Sequence, residues 1–190
     1  MTLGGVVLAA GASRRARTIK ALVELDGEPL VARAIRTLRE GGCDEVVVVV
    51  GPPHAETIAA AIGDAERVDN PRPEDGMRSS LALGLDDRWD AAVVSLVDHP
   101  RVRAETVAAL IARWRETRAA VVRPTHAGES GHPFLVARAV FDPLRHEPSP
   151  DGARSILRAH APLDVEVDDP AIHEDLDTAP DLAKLRSTRG

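Results

Sequence analysis

Apolar residues in this chain fall into short unbroken runs, separated by stretches in which apolar positions recur every three or four residues. Unbroken runs bounded by turn residues read as strands covered on both faces, and the three-to-four spacing reads as helices packed on them. Three strand patterns are strong: Val6-Val7-Leu8-Ala9-Ala10, which stops at Gly11; residues 44–51, with five consecutive valines; and residues 90–98, DAAVVSLVD. Weaker strand patterns lie at 66–70, at 119–123, at the end of 125–136 and, by alternation, at 163–167. Residues 24–28 read as a turn. Helices are expected over 29–40, opened by Pro29 and stopped by Gly41-Gly42, and over 55–62, 104–118, 151–160 and 180–185. Another follows the proline-rich stretch 70–75, opened by Gly76; Ser79 and Ser80 fall in its first turn, where a hydroxyl either caps the backbone or bonds a ligand. Strand alternating with helix predicts an α/β fold, a doubly wound and mostly parallel sheet with an antiparallel piece in the middle segment.

Ligands of such sheets bind beyond the carboxyl ends of the strands. The loop after the first strand supplies Gly11, the Ser13 hydroxyl and the cations Arg14, Arg15, Arg17 and Lys20, with no acid before Glu24, which outlines an anion site. It is neither a P-loop, which needs a Gly-Lys pair the chain lacks, nor a dinucleotide fingerprint GxGxxG, since only Gly11 lies between the strand and Lys20. Of the 24 Lys and Arg residues only Lys20 and Lys184 are lysines, so Lys20 stands out as a point charge suited to phosphate. Asp98 ends the third strong run, held by Pro100, where a carboxylate either ligates a Mg²⁺ shared with phosphates or caps a turn. Asp177, with Asp175 behind it, is the candidate second acid.

Composition narrows the classes. With 190 residues and 44% apolar content the chain is expected to be one domain, and no apolar run is long enough to span a bilayer. A net charge of −6, no Tyr, two Phe and two Trp argue against bulk nucleic-acid binding, so an anion must be held locally. No secretory pattern opens the chain, and the single Cys43, at a Gly-Gly turn, reads as structural; a cytosolic location is expected. The first 20 residues hold four cations and no acid, whereas 164–181 hold Asp164, Glu166, Asp168, Asp169, Glu174, Asp175, Asp177 and Asp181 without a cation. Either these ends meet around a metal and a polyanion, or the acidic stretch is a solvated face.

The loop LAAGASRRARTIK, then Asn70…Gly76-Met77…Ser79-Ser80-Leu81, Asp98-His99-Pro100, Gly131-His132-Pro133, Asp151-Gly152-Ala153-Arg154 and Asp175-Leu176-Asp177-Thr178 follow in an order that resembles the molybdenum cofactor nucleotidyltransferases, in particular their cytidylyltransferase branch, over residues 3–183. The resemblance implies a Rossmann-like, nucleotide-diphospho-sugar transferase-like fold and Mg²⁺-dependent transfer of a nucleotide to the terminal phosphate of molybdopterin, with release of pyrophosphate. It implies that Leu8, Ala9, Ala10, Gly11 and Ser13 meet the nucleotide, that Asn70 and Ser80 lie along it, and that Arg15 and Lys20 hold the triphosphate. Asp98 and Asp177 would bind the metal; His132 and Arg154 would face the acceptor. Arg15, Lys20 and Asp98 would carry the catalysis, and Ala10, in LAAG where guanylyltransferases have LAGG, implies CTP over GTP. The acceptor phosphate, with a second pKa of about 6, needs no dedicated base, so catalysis is alignment and charge neutralisation. The implied partners are CTP or GTP, a molybdopterin-type acceptor and a molybdoenzyme or its maturation factor. The chain departs from the family pattern at Ala16-Arg17, where Met-Gly is usual, at Val97, where Gly is common, and at His99, where Gln is common. Two readings stand beside this one: the same chemistry on another phosphorylated acceptor or with GTP, and a non-catalytic module that carries a pterin or nucleotide. Arg17 favours the carrier, and retention of both acids opposes it. A dinucleotide-dependent oxidoreductase lacks its fingerprint.

Overall fold

Successive side chains of a strand point to opposite faces, so a run of valines buried throughout must be covered twice. In the computed structural model, which describes residues 1–11, 19–149 and 151–176, Val46, Val48 and Val50 pack on one side of a sheet and Val47 and Val49 on the other. Ser13, Arg14, Arg15, Arg17, Asp177 and the helix expected at 180–185 lie outside the described residues.

The elements in chain order are β1 (Leu3–Leu8), the two-residue strands β2 (Glu24–Leu25) and β3 (Glu28–Pro29), α1 (Leu30–Glu40), β4 (Glu45–Val50), α2 (Ala55–Ala59), β5 (Glu66–Asp69), α3 (Met77–Gly84), β6 (Ala91–Leu96), α4 (Ala104–Thr117), β7 (Val121–His126), β8 (Glu129–Ser130), β9 (Phe134–Ala137), α5 (Phe141–His146), α6 (Ala153–Ala159) and β10 (Leu163–Glu166). The sheet runs β5-β4-β1-β6-β9-β7-β10, with β8 paired to β7. The β5/β4, β4/β1, β1/β6 and β7/β10 pairs are parallel; β9 runs antiparallel to both of its neighbours and is the reversed middle piece. From β1 the chain winds outward through β4 and β5, then crosses back to β6 on the other side of β1. That reversal leaves a crevice at the carboxyl ends of β1, β4 and β6, the place where open α/β sheets bind ligands.

One face of the sheet is covered by α1 and α4, through Leu38, Val107, Leu110 and Trp114 among others. The other is covered by α3, α5 and α6, with Leu81, Phe141, Leu144 and Ile156 buried together with Trp89. α3 lies unusually close. A Cβ on Gly84 would stand 2.6 Å from Val6 Cγ1 and 2.8 Å from Val49 Cγ2, a separation that side-chain-bearing residues do not tolerate.

Several expectations shift. β1 begins three residues earlier than the apolar run and ends at Leu8, leaving Ala9 and Ala10 beyond the strand. The 24–28 turn is the tight hairpin β2–β3 around Asp26-Gly27, both at positive φ. α2 stops at Ala59, short of the expected 62, and β7 extends to His126. α5 was not anticipated. Among the described residues no helix is long and apolar enough to cross a membrane.

Candidate active site

The crevice at the β1/β4/β6 ends is a cleft of about 270 Å³, and Leu8, Ala9, Ala10, Gly11, Lys20, Ser80 and Asp98 all line it. Three separate stretches of the chain thus converge because β1 and β6 are neighbours in register, Leu8 opposite Leu96, and the residues just past each strand end share one rim. Ala9 reaches across to β4: its N–H donates to the Val49 carbonyl at 2.9 Å, so only its carbonyl is left to meet a ligand. Lys20 opens a short 3₁₀ turn, Lys20–Leu22, which brings its Nζ to 3.7 Å from Asp98 Oδ2. The other oxygen, Oδ1, is buried without a hydrogen-bond partner among the described residues and lies 4.0 Å from His99 Nε2. A buried carboxylate oxygen left unsatisfied is costly, and a cation is the partner that suits it. Among the described residues no group of three or more His, Cys, Asp or Glu could hold a metal by itself. Asp98 therefore fits the kind of Mg²⁺ site that takes one or two protein carboxylates and completes its shell with phosphate and water.

The wall opposite is the start of α3, and it is pinned residue by residue. Arg78 Nε donates to the Leu144 carbonyl of α5 at 2.7 Å, and Ser79 Oγ donates to the Gly76 carbonyl at 2.8 Å. Asn70 Nδ2 donates to both Ser79 Oγ and Ser80 Oγ at 2.9 Å, while Asn70 Oδ1 accepts from the Arg72 N–H. Asn70, expected along the nucleotide, is only 2% exposed and does not line the cleft. It stands behind Ser80 and orients that hydroxyl, which does line it.

A second cavity, of about 300 Å³, adjoins the first and shares Met77 with it. His132 and Arg154 line it together, as do Arg123, Arg158, Phe134 and Leu157. Gly131 and His132 are brought there by the strand β9 that follows and by the 3₁₀ turn Pro170–His173, whose Ile172 carbonyl accepts the His132 N–H at 3.0 Å. Burial pushes the His132 imidazole down to about 4, helped by the nearby His99 and the Arg154 charge, so it is neutral at physiological pH. Its ring centroid is 5.1 Å from that of His99, which links the second cavity to Asp98. Arg158 went unnoticed in the sequence, although its spacing of four from Arg154 puts it on the same face of α6. Arg123 is engaged with Asp164 across the β7–β10 pair.

The described part of the acidic stretch, up to Leu176, does not converge on the cleft as a block. Asp164 pairs with Arg123, Glu166 accepts from Thr125 Oγ1 and the Ala127 N–H, and Glu174 lies 3.5 Å from Arg101. Asp169, 2% exposed, accepts from Thr106 Oγ1 at 2.6 Å and from the Arg103 N–H at 3.0 Å, anchoring the start of α4. Among the described residues of the stretch, Leu176 touches the Asp98 backbone: its N–H donates to the Asp98 carbonyl at 3.0 Å. Cys43 is buried and its thiol is pushed up to about 12 by that burial, as a structural role requires.

Residues 5–165 match the family described as MobA-like NTP transferase domain. The chain is 33% identical over 198 residues to the nicotine blue oxidoreductase of Paenarthrobacter nicotinovorans, covering 95% of both chains. It is 34% identical over 123 residues to a probable molybdenum cofactor guanylyltransferase of Opitutus terrae, covering 64% of this chain and 60% of that one. Among solved structures, Rv0371c of Mycobacterium tuberculosis H37Rv superposes with a TM-score of 0.79 at 26% identity over 97% of each chain. The same protein in complex with manganese superposes with 0.75 at 25% identity, over 97% of this chain and 98% of that one. A CMP:2-keto-3-deoxy-manno-octonic acid synthetase complexed with CTP shares the fold, with a TM-score of 0.78 at 15% identity over 99% of this chain and 98% of that one.

Proposed function

The chain belongs to the MobA-like NTP transferase family, and from that premise we propose that it transfers CMP from CTP to the terminal phosphate of a molybdopterin-type cofactor in the cytosol, releasing pyrophosphate. The observation that carries this reading is the buried, unsatisfied Oδ1 of Asp98 beside Lys20, at the point where the sheet reverses its winding. Asp98, with Asp177, would hold a Mg²⁺ ion, which when bound neutralises charge on the α-phosphate and the departing pyrophosphate. Lys20 and Arg15 place positive charge on the triphosphate. Leu8, Ala9, Ala10 and Gly11 line the cleft that would take the nucleotide, with Ser80 bonded to Asn70 in its wall; Ser13 would contribute its hydroxyl to the same nucleotide. His132, being neutral, can accept as well as donate a hydrogen bond, and Arg154 supplies the charge that attracts the acceptor phosphate. No side chain need remove a proton, because the acceptor arrives ionised; the residues align two anions and offset their repulsion.

Ala10 lines the cleft at the position where the resemblance distinguishes LAAG from the LAGG of guanylyltransferases, which supports CTP. The relative named as a guanylyltransferase makes GTP the competing nucleotide. Pyrophosphate release is to be measured with CTP and GTP in turn, with Mg²⁺ and molybdopterin under anaerobic conditions. The expected result is release with CTP in preference to GTP, reduced on the order of 10²-fold or more in Asp98→Ala, the usual cost of removing a transition-state charge stabiliser. Release with neither nucleotide, from folded protein, would overturn the proposal.

A second reading rests on the match to the nicotine blue oxidoreductase over 95% of both chains. The chain would then be an oxidoreductase, one without the GxGxxG dinucleotide fingerprint. Oxidation of reduced nicotinamide dinucleotide by a quinone-like dye, without pyrophosphate release, would select it.

A further inference from the structure

A nucleotidyltransferase whose two substrates meet in an open crevice has to keep a competing nucleophile, water, from the phosphorus that the acceptor attacks. Met77 stands where that competition would be decided. It lines both the nucleotide cleft and the second cavity, at the boundary between them. It is also 46% exposed, and among the described residues the other large apolar side chains exposed to this degree are Met1 and Leu83, neither of which lines these cavities.

The exposure is not that of a loose end. Met77 begins α3, and each of the three residues after it is tied down: Arg78 to the Leu144 carbonyl, Ser79 to the Gly76 carbonyl and Ser80 to Asn70. Gly84, at the end of the same helix, seats it against Val6 and Val49. A rigid backbone therefore presents one flexible thioether to the junction of the two cavities. An unbranched side chain with three rotatable bonds adapts to whatever fills the space beside it. Such a group, too apolar to hydrogen-bond water well, belongs at a place that is to be dry once substrates are bound.

Resting on the nucleotidyl-transfer reading, we infer that Met77 determines the choice between transfer and hydrolysis by shielding the α-phosphorus from water. In transfer, an oxygen of the acceptor phosphate bonds to the α-phosphorus and the bond from that phosphorus to the bridging oxygen breaks, with pyrophosphate leaving with the electron pair. In hydrolysis the oxygen of water forms the new bond and the same bond breaks; CMP and pyrophosphate result, and the proton passes to solvent. The two products differ in a way that one assay resolves.

The experiment uses the full chain with CTP, Mg²⁺ and molybdopterin, and measures free CMP and nucleotidylated acceptor in the same reaction. Met77→Ala, which removes the side chain, and Met77→Gln, which keeps its length but invites water, are expected to raise the ratio of CMP to transferred product about tenfold, the scale of losing one or two apolar contacts in a pocket. Met77→Leu, still apolar, is expected to stay within about twofold of wild type. A purely structural role for Met77 would lower both products together and leave their ratio unmoved. An unchanged ratio in both Met77→Ala and Met77→Gln, while wild type transfers normally, overturns the inference alone. A wild-type protein that makes no transferred product overturns the transfer reading and this inference with it.

Discussion

His132 shows how one side chain's surroundings set its chemistry. Its imidazole lies between the His99 ring and the apolar Phe134 ring, with the Arg154 charge close by, and all of these oppose a proton. Its folded pKa, about 4, is below the 6.5 of an unhindered histidine. Above pH 6.5 both folded and unfolded chains carry it neutral, and it contributes no pH dependence. As pH falls from 6.5 towards 4 the unfolded chain takes up a proton that the folded chain refuses, so stability is lost across that window, by on the order of 3 kcal/mol. Urea unfolding of wild type and His132→Gln between pH 4 and 7.5 should show a shallower loss in the variant by up to one proton; parallel curves would rule out this assignment. Residue by residue, the cleft lining was legible where a candidate followed a strand end, as Gly11 and Asp98 do; Lys20 reaches the same cleft from its 3₁₀ turn. Asn70 stands behind the cleft wall, since a motif fixes position in the chain and not the direction of a side chain, and its amide turns inward to two hydroxyls. Arg158 carried a helical-spacing signal beside Arg154 but no motif.

Elements were legible in proportion to how local their causes are. β4 and α1 announce themselves through a valine run and a Pro-to-Gly frame. α5 does not: six residues with Pro143 inside show no periodicity, and its place is set from outside by Arg78 on the Leu144 carbonyl and by Arg145 on the Leu85 carbonyl at 2.6 Å. The start of β1 was hidden by Gly4, which looks like a strand breaker but is required because a Cβ there would lie 2.0 Å from the Trp89 ring. Gly84 does the corresponding work for α3. Gly84→Ala drives a methyl into Val6 and Val49 and should cost about 1–3 kcal/mol. Because α3 carries Ser80 and Met77, turnover is expected to fall with stability when both are measured. A variant as stable as wild type would mean that the helix can lift from the sheet without penalty.

At the scale of the whole molecule, the chain is acidic, with a net charge of −6, yet has a Lys at the cleft and arginines in the adjoining cavity. Positive charge thus lines both the cleft and the cavity beside it. Binding there should stabilise the fold: CTP with Mg²⁺ at a hundred times its dissociation constant adds about 2.7 kcal/mol, which for a chain of this size raises the melting temperature by roughly 5–10 °C. A chain ended before Leu176 should keep its circular dichroism but lose that rise, since the Leu176 N–H is bonded to the Asp98 carbonyl and its side chain packs with Val23, Leu25, Leu30 and Val97. An undiminished rise in the shortened chain would show that this clasp is dispensable. Every strand among the described residues precedes Leu176 in the chain. On the ribosome, therefore, Leu176 emerges after the described strands, which can pair before its N–H closes on the Asp98 carbonyl.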